Sequence, residues 1–378
     1  MQRKLRIVLS SVYHISQYYG GNENYLHNLA LGLAKDGHEV TYLTAFAKSE
    51  INKYPYDLKI VPVGTLMGKP LPSLEWTNTV VGIKPDVFHG SGSGLPMVLS
   101  AGILKHNYEI PTVLTFQAPL HPDNKLMQLA GKGETFVSGR AFDAVIATGP
   151  QNQAMLRSWW PWVKIELIPM MLADHFFAKQ PTPTEARRKL KLGEDRPTVL
   201  FAGKLDTHHY YKGVDFLLQA TSLLPKEYQV VIIGDGNTRQ VYETKAKELR
   251  ISNQVIFVGF VRDETVRDYM VGSDVFVLPS TSDSEGFGLV LIEAMACNTP
   301  VVTTTVIGSA SWLKAEKVAT LVPAKDAKAL AKAIVKQAEH RDDKQVARAR
   351  KIALSFTKEK MVESTVKLYR ELINKKQK

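Results

Sequence analysis

The sequence predicts an α/β protein built from two Rossmann-like domains, each a doubly wound parallel sheet, facing each other across a cleft. Three observations carry that prediction. Short β-rich apolar runs alternate with helical patterns from one end of the chain to the other, the mark of strand–helix–strand units. A length of 378 residues exceeds what one hydrophobic core usually organises. The Pro/Thr-rich stretch Gln180-Pro181-Thr182-Pro183-Thr184 interrupts the alternation near the middle. The expected domains are therefore 1–178 and 179–355, followed by a terminal helix within 356–378.

In the first half, the runs at 5–12, 40–44, 86–89, 112–116, 144–147 and 165–168 read as strands. The stretch 23–35 reads as a helix, with Leu26, Leu29, Leu31 and Leu33 near helical spacing. The first run follows basic residues, as a signal peptide would. It is short, however, and leads into a polar stretch without a small-residue cleavage site, so it reads as a strand. In the second half, strands are expected at 198–202, 229–233, 255–258, 275–278, 300–304 and 320–322. Helices are expected at 214–223, 239–249, 264–271, 287–296 and 327–339. Open parallel sheets bind ligands at the carboxyl ends of their strands. Glycine-rich loops fall there: Gly20-Gly21, Gly90-Ser91-Gly92-Ser93-Gly94, Ala202-Gly203-Lys204, Gly234-Asp235-Gly236 and Glu285-Gly286-Phe287-Gly288.

Composition narrows the classes. With 44% hydrophobic and 22% charged residues the chain is of ordinary globular type. No run approaches the ~20 apolar residues of a membrane span. Cys297 is the only cysteine, which excludes an intramolecular disulfide and points to a reducing compartment, the cytoplasm. The net charge of +11 is concentrated near the end: residues 314–378 hold 18 Lys and Arg against 8 Asp and Glu. Solvated helix faces account for such an excess; attraction to an anionic membrane surface is the sharper reading. No zinc-finger spacing or RNA-recognition signature accompanies it, so nucleic acid is not an expected partner.

The stretch from Glu285 to Glu293 carries the chemistry. Two carboxylates stand eight positions apart, with a glycine-rich turn at the first and an apolar helical pattern leading to the second. On a helix that spacing is about 80° of rotation and roughly 12 Å of rise. If the helix begins near Phe287, its free N–H groups and positive dipole end suit a phosphate group between the two carboxylates. A nucleotide-sugar site needs that layout. An unpartnered Glu293 in an otherwise apolar helix would be costly, which favours a ligand for it. Read alone, Lys204 and Lys212 could be ordinary surface lysines. Asp283-Ser284-Glu285 is the nearest approach to an Asp-x-Asp metal pair, and no metal is expected.

Beyond this segment, Gly20-Gly21-Asn22-Glu23 with Gly37-His38-Glu39-Val40, Phe201-Ala202-Gly203-Lys204-Leu205, Tyr211-Lys212-Gly213-Val214 and Ser273-Asp274-Val275-Phe276-Val277-Leu278-Pro279-Ser280 are spaced through the chain. Together with Glu285 and Glu293 they resemble the retaining glycosyltransferases of the GT-B fold, family 4, over nearly the whole length. The resemblance implies transfer of a hexose-type sugar from a UDP- or GDP-linked donor to an acceptor hydroxyl, with no cofactor beyond the nucleotide sugar. It implies an acceptor-binding first domain, a donor-binding second domain, and a terminal helix that crosses back to the first. Glu285 would hold hydroxyls of the donor sugar and stabilise positive charge at its anomeric carbon, and Glu293 would accept from the ribose hydroxyls. Backbone N–H groups around Phe287, Gly288 and Leu289 would meet sugar hydroxyls or phosphate. Lys204, beside Gly203, and Lys212 would neutralise the departing diphosphate, and Gly21 would let backbone approach the phosphates from the facing domain.

Departures mark what does not carry over. Members commonly show Thr-x-His where this chain has Thr115-Phe116-Gln117. Gln117 lacks the basicity of a proton acceptor, and His121 is a partial substitute on the acceptor side. Lys204 stands where Arg is commoner, without the planar fork of a guanidinium. Glu285 and Glu293 are too far apart for the double displacement that needs carboxyls ~5 Å apart, so front-face attack is expected. Trp159, Trp160 and Trp162 lie between Arg157 and Lys164; they suit core packing, sugar binding or a lipid headgroup layer. The acceptor is accordingly expected to be a glycan, a lipid-linked molecule or a small molecule. An epimerase or phosphorylase of the same fold, or a non-catalytic sugar-nucleotide-binding protein, is the alternative.

Overall fold

Two parallel sheets organise the chain. The computed structural model describes residues 3–17, 21–48, 53–66, 69–70, 74–92, 95–116, 139–193 and 195–377. The chain divides into one unit of Met1–Met171 with Thr357–Lys378 and a second of Leu172–Phe356.

In the first unit, strands β1 (Arg6–Tyr13), β2 (Glu39–Phe46) and β3 (Asp57–Ile60) are joined by helix α1 (Gly21–Lys35) and a crossover. A small hairpin, β4 (Thr65–Leu66) and β5 (Lys69–Pro70), precedes α2 (Leu74–Ile83). Then come β6 (Val87–Ser91), α3 (Leu95–Asn107), β7 (Thr112–Phe116), β8 (Ala144–Ala147), α4 (Pro150–Trp159) and β9 (Lys164–Leu167). The sheet order is β3-β2-β1-β6-β7-β8-β9, all parallel. Its central strands are buried along most of their length, apolar side chains predominating, because helices cover both faces.

The second unit repeats the plan. Helix α5 (Pro183–Leu190) is followed by β10 (Thr198–Ala202), a 3-10 segment (Thr207–Lys212), α6 (Val214–Thr221), β11 (Gln229–Ile233), α7 (Arg239–Glu248) and β12 (Val255–Gly259). The chain continues through α8 (Asp263–Gly272), β13 (Val275–Leu278), α9 (Leu289–Ala296), β14 (Val301–Thr304), α10 (Ala310–Glu316), β15 (Thr320–Val322), α11 (Ala327–Glu339) and α12 (Asp343–Ala353). The order is β12-β11-β10-β13-β14-β15, again all parallel. Strand order reverses between β10 and β13, and that reversal is where an open sheet leaves a crevice for ligands.

Residues 172–178, assigned by sequence to the end of the first domain, group with the second unit. The Pro/Thr-rich stretch is a helix cap and not a linker. Thr182 Oγ1 accepts from the Glu185 N–H at 3.2 Å, the Glu185 carboxylate accepts from the Thr182 N–H at 2.7 Å, and Pro183 occupies the first turn. The last helix, α13 (Lys358–Lys376), belongs to the first unit and buries Met361, Val362, Leu368, Tyr369 and Leu372 in its core. The Tyr369 hydroxyl meets Nδ1 of the fully buried His89 of β6.

Candidate active site

The site lies where the second sheet reverses its order. β10 ends at Ala202 and leads through Gly203 and Lys204 into the 3-10 segment; β13 ends at Leu278 and leads through Pro279 to Gly288. Close backbone contacts join these loops. The Thr281 N–H donates to the Tyr211 carbonyl at 2.7 Å. Gly213 takes φ +74°, and a Cβ there would overlap the Pro279 carbonyl. Glycine is required both by conformation and by space. The 3-10 segment is capped at its start by Asp206, which accepts from the His208 and His209 N–H groups at 2.9 and 3.1 Å.

This packing brings Lys212 against Glu285. Lys212 Nζ donates to Glu285 Oε2, and the two side chains are only 12% and 13% exposed. The ammonium also lies 5.7 Å from the centre of the Tyr211 ring. Gly203 makes room for the lysine stem, since a Cβ there would stand 3.0 Å from Lys212 Cδ. Burial pushes the Tyr211 hydroxyl well above its ordinary range, and the charges of Glu285 and Asp206 add to the effect. Lys204 is exposed at the edge of the same loop.

Glu293, in α9, is half-buried. Its carboxylate accepts no hydrogen bond from the protein among the described residues. Burial pushes it up to about 7, the charge of Asp263 acts in the same direction, and Lys212 opposes them. A carboxylate held in this state is waiting for hydrogen-bond donors.

The helix starts two residues later than the expected Phe287. Gly288 adopts a left-handed conformation (φ +69°, ψ 59°) and α9 begins at Leu289. Glu285 lies in the loop before the helix, as a start near Phe287 also implied, but the left-handed turn at Gly288 means that the rotation and rise of a continuous helix do not describe its relation to Glu293. The physical cause is the ring of Phe287, which is buried with its centroid 5.6 Å from that of Trp312 and 5.7 Å from that of Phe356. Packing that ring inward turns the chain before the helix can begin. The N–H groups of Phe287, Gly288 and Leu289 donate to no protein acceptor among the described residues, so they stay available at the helix start.

The structure thus brings together Gly203, Lys212, Glu285 and the turn before Leu289, with Lys212 within electrostatic reach of Glu293. Gly21 opens α1 in the first unit. Gln117 and His121 lie outside the described residues. Sequence reasoning missed Asp206 as the cap of the 3-10 segment, although Asp ahead of a short helical turn is a recognisable cap signal. It also missed Asp263 as a neighbour of Glu293, for which no local signal exists. Among the described residues no group of three or more His, Cys, Asp or Glu gathers as a metal site. In the tryptophan cluster, Trp160 is buried, while Trp159 and Trp162 are 39% and 53% exposed, with the Arg140 guanidinium 5.1 Å from the Trp162 ring.

Comparison with known proteins bears on the family and the fold. The profile described as Glycosyl transferases group 1 matches residues 183–353, and that described as Glycosyltransferase Family 4 matches residues 19–171. An uncharacterised glycosyltransferase of Methanocaldococcus jannaschii is 35% identical over 132 residues, 34% of this chain and 33% of that protein. A sucrose-phosphate synthase structure from Thermosynechococcus elongatus has a TM-score of 0.79 at 24% identity, covering 98% of this chain and 100% of that one. The Anabaena protein HepE, solved in complex with UDP, has a TM-score of 0.80 at 19% identity, covering 97% and 100%. At these identities the structures show a shared fold. The chain spans from 32% to 64% of the length of the curated relatives it matches.

Proposed function

Because the chain belongs to the GT-B glycosyltransferases of family 4, we propose that it is a retaining enzyme that moves a hexose-type sugar from a UDP- or GDP-linked donor to an acceptor hydroxyl. The observation that carries this reading is a half-buried, unpartnered Glu293 beside a buried Lys212–Glu285 ion pair at the reversal point of the second sheet. Ribose hydroxyls supply the donors that Glu293 lacks. The free N–H groups before and at Leu289 take sugar hydroxyls or phosphate. Lys212, with Lys204 at the loop edge, provides the positive charge that a departing diphosphate needs, so the reaction proceeds without a divalent cation. Glu285 faces the sugar and stabilises the charge that develops at its anomeric carbon. The leaving phosphate oxygen takes the acceptor's proton on the same face. The UDP bound to the structurally similar HepE supports a nucleotide donor.

The acceptor is a glycan or a lipid-linked molecule taken by the first unit. Exposed Trp159 and Trp162 beside Arg157 and Lys164, with the basic terminal helices, support contact with an anionic membrane surface on the cytoplasmic side. No helix among the described residues is long and apolar enough to cross a membrane. Absence of binding to anionic vesicles at low salt would remove the membrane part of the reading.

The test is a thermal-shift panel of nucleotides and nucleotide sugars, followed by mass spectrometry of the tightest donor with mixed acceptors. Glu285→Gln should keep nucleotide binding and lower transfer by about 10²–10³-fold, the range seen when one transition-state stabilising group is removed. EDTA should leave the wild-type rate unchanged. Undiminished transfer by Glu285→Gln would refute its assigned role, and donor conversion without any acceptor would identify an epimerase.

A further inference from the structure

The loop between Lys204 and Lys212 holds an acid–imidazole pair that the proposed reaction does not yet use. Asp206 Oδ1 accepts from His209 Nδ1 at 2.7 Å, and the two side chains are 27% and 26% exposed. Asp206 already caps the 3-10 segment through the backbone N–H groups of His208 and His209. The imidazole therefore adds nothing that closing the turn requires. Donation from Nδ1 fixes the tautomer and leaves Nε2 as the acceptor of the neutral ring and a second donor of the protonated one. Nε2 meets no partner among the described residues. Protonation makes it a charged donor without disturbing the bond to Asp206, which is how an orienting carboxylate serves a histidine.

The pair stands close to the candidate site. The His209 ring lies 5.8 Å from that of Tyr211, the residue before Lys212. The carboxylates of Asp206 and Glu285 both act on the Tyr211 hydroxyl, so the acid–imidazole pair and the Lys212–Glu285 pair lie within electrostatic reach of one phenol. Asp206 and Tyr211 face the imidazole directly; Lys212 of the same segment and Glu285 from the loop after β13 act on Tyr211, and Tyr242 of α7 lies within reach of Asp206. Both flanking cations are lysines. They supply charge without the directional fork of a guanidinium, and an imidazolium adds a directed N–H.

We propose that His209, oriented by Asp206, is a third donor to the diphosphate of the nucleotide sugar, its protonated Nε2 bonding a terminal phosphate oxygen and holding it as the diphosphate departs. The inference rests on the donor site proposed above. Its sign is definite: the imidazolium attracts the diphosphate and the neutral ring does not, so the contribution of His209 grows as pH falls and is lost as pH rises.

Calorimetric titration of the full chain with UDP, GDP and ADP, and with the matching monophosphates, tests this from about pH 6 to about pH 8. The ribose contact at Glu293 and the phosphate attached to the ribose are common to both members of each ligand pair, and each member ends in one phosphate with a second ionisation. The ratio of monophosphate Kd to diphosphate Kd therefore isolates the group that touches the terminal phosphate of the diphosphate. In the wild type that ratio should fall about tenfold over the range, the scale of one charge-assisted hydrogen bond. It should be flat in His209→Gln and in His209→Asn, which retains a donor toward Asp206, and Asp206→Asn should lessen the slope. A flat wild-type ratio, or an undiminished slope in both His209 variants, overturns the inference and leaves the donor site standing. No binding of any of the three nucleotide pairs overturns both.

Discussion

Glu293 is held in the unliganded protein at a cost that substitution should release. Its carboxyl is pushed from the ordinary 4.5 up to about 7 by burial and by Asp263. A group raised in the folded state contributes stability in full below its unfolded value and loses it as pH climbs through the folded one. Ionising Glu293 across this gap costs at most about 3.5 kcal/mol, at about 1.4 kcal/mol per pH unit. The carboxylate is half-buried, so solvent screening lowers this to about 1–2 kcal/mol. Glu293→Gln keeps the shape and removes the charge. Near pH 8 it should raise the melting temperature by roughly 3–6 °C for a unit of this size. Near pH 5 the wild-type carboxyl is largely protonated and the difference should shrink toward zero. The same substitution removes a charged acceptor for the ribose hydroxyls and should weaken nucleotide binding by about 10–100-fold. Scanning calorimetry at the two pH values, with titration of the tightest nucleotide, reads both effects. An equal offset in melting temperature at both pH values, or undiminished nucleotide affinity, would refute the reasoning.

Two further predictions concern the scaffold. Gly213→Ala forces a side chain into the Pro279 carbonyl at φ +74°. It should cost about 1–3 kcal/mol and abolish nucleotide binding through displacement of Lys212; a melting temperature within 1 °C of the wild type, taken as roughly the reproducibility of such a measurement, would count against the loop contact. In the first unit, His14 Nε2 and His27 Nδ1 meet the same Tyr56 hydroxyl at 2.9 and 2.6 Å. Burial holds both imidazoles at about 4, with His27 acting further on His14 and Lys358 on His27. Groups lowered in the folded state give stability above their unfolded value of 6.5 and lose it as pH falls toward 4. Acid should therefore destabilise the wild type more than a His14→Asn, His27→Gln double variant, as followed by intrinsic fluorescence. Parallel acid transitions would contradict this.

Much of the fold was legible in the sequence. The runs at 112–116, 144–147, 198–202, 229–233, 275–278 and 320–322 became strands at those bounds, and the helix at 327–339 was read in full. Strands covered on both faces must be apolar along their length, and a helix with one buried face must repeat near every third or fourth residue, so both leave a local imprint. The glycine-rich turn at Glu285 was legible, but the helix start was read two residues early, because the residues that begin the apolar helical pattern also contain a glycine free to take a left-handed conformation. Burial of Phe287 decided which prevailed.

What the sequence determined by itself was the pair of parallel sheets, the family, and the loops that carry the candidate chemistry, because each is written in spacings of a few residues. Only the tertiary structure joined those loops. Lys212 and Glu285 are 73 positions apart and meet because β10 and β13 are neighbours at the reversal of the sheet. Glu293 is held near neutrality by its burial and by Asp263, which lies on another helix. Strand order and burial are collective properties of the packed chain, and no local pattern encodes them.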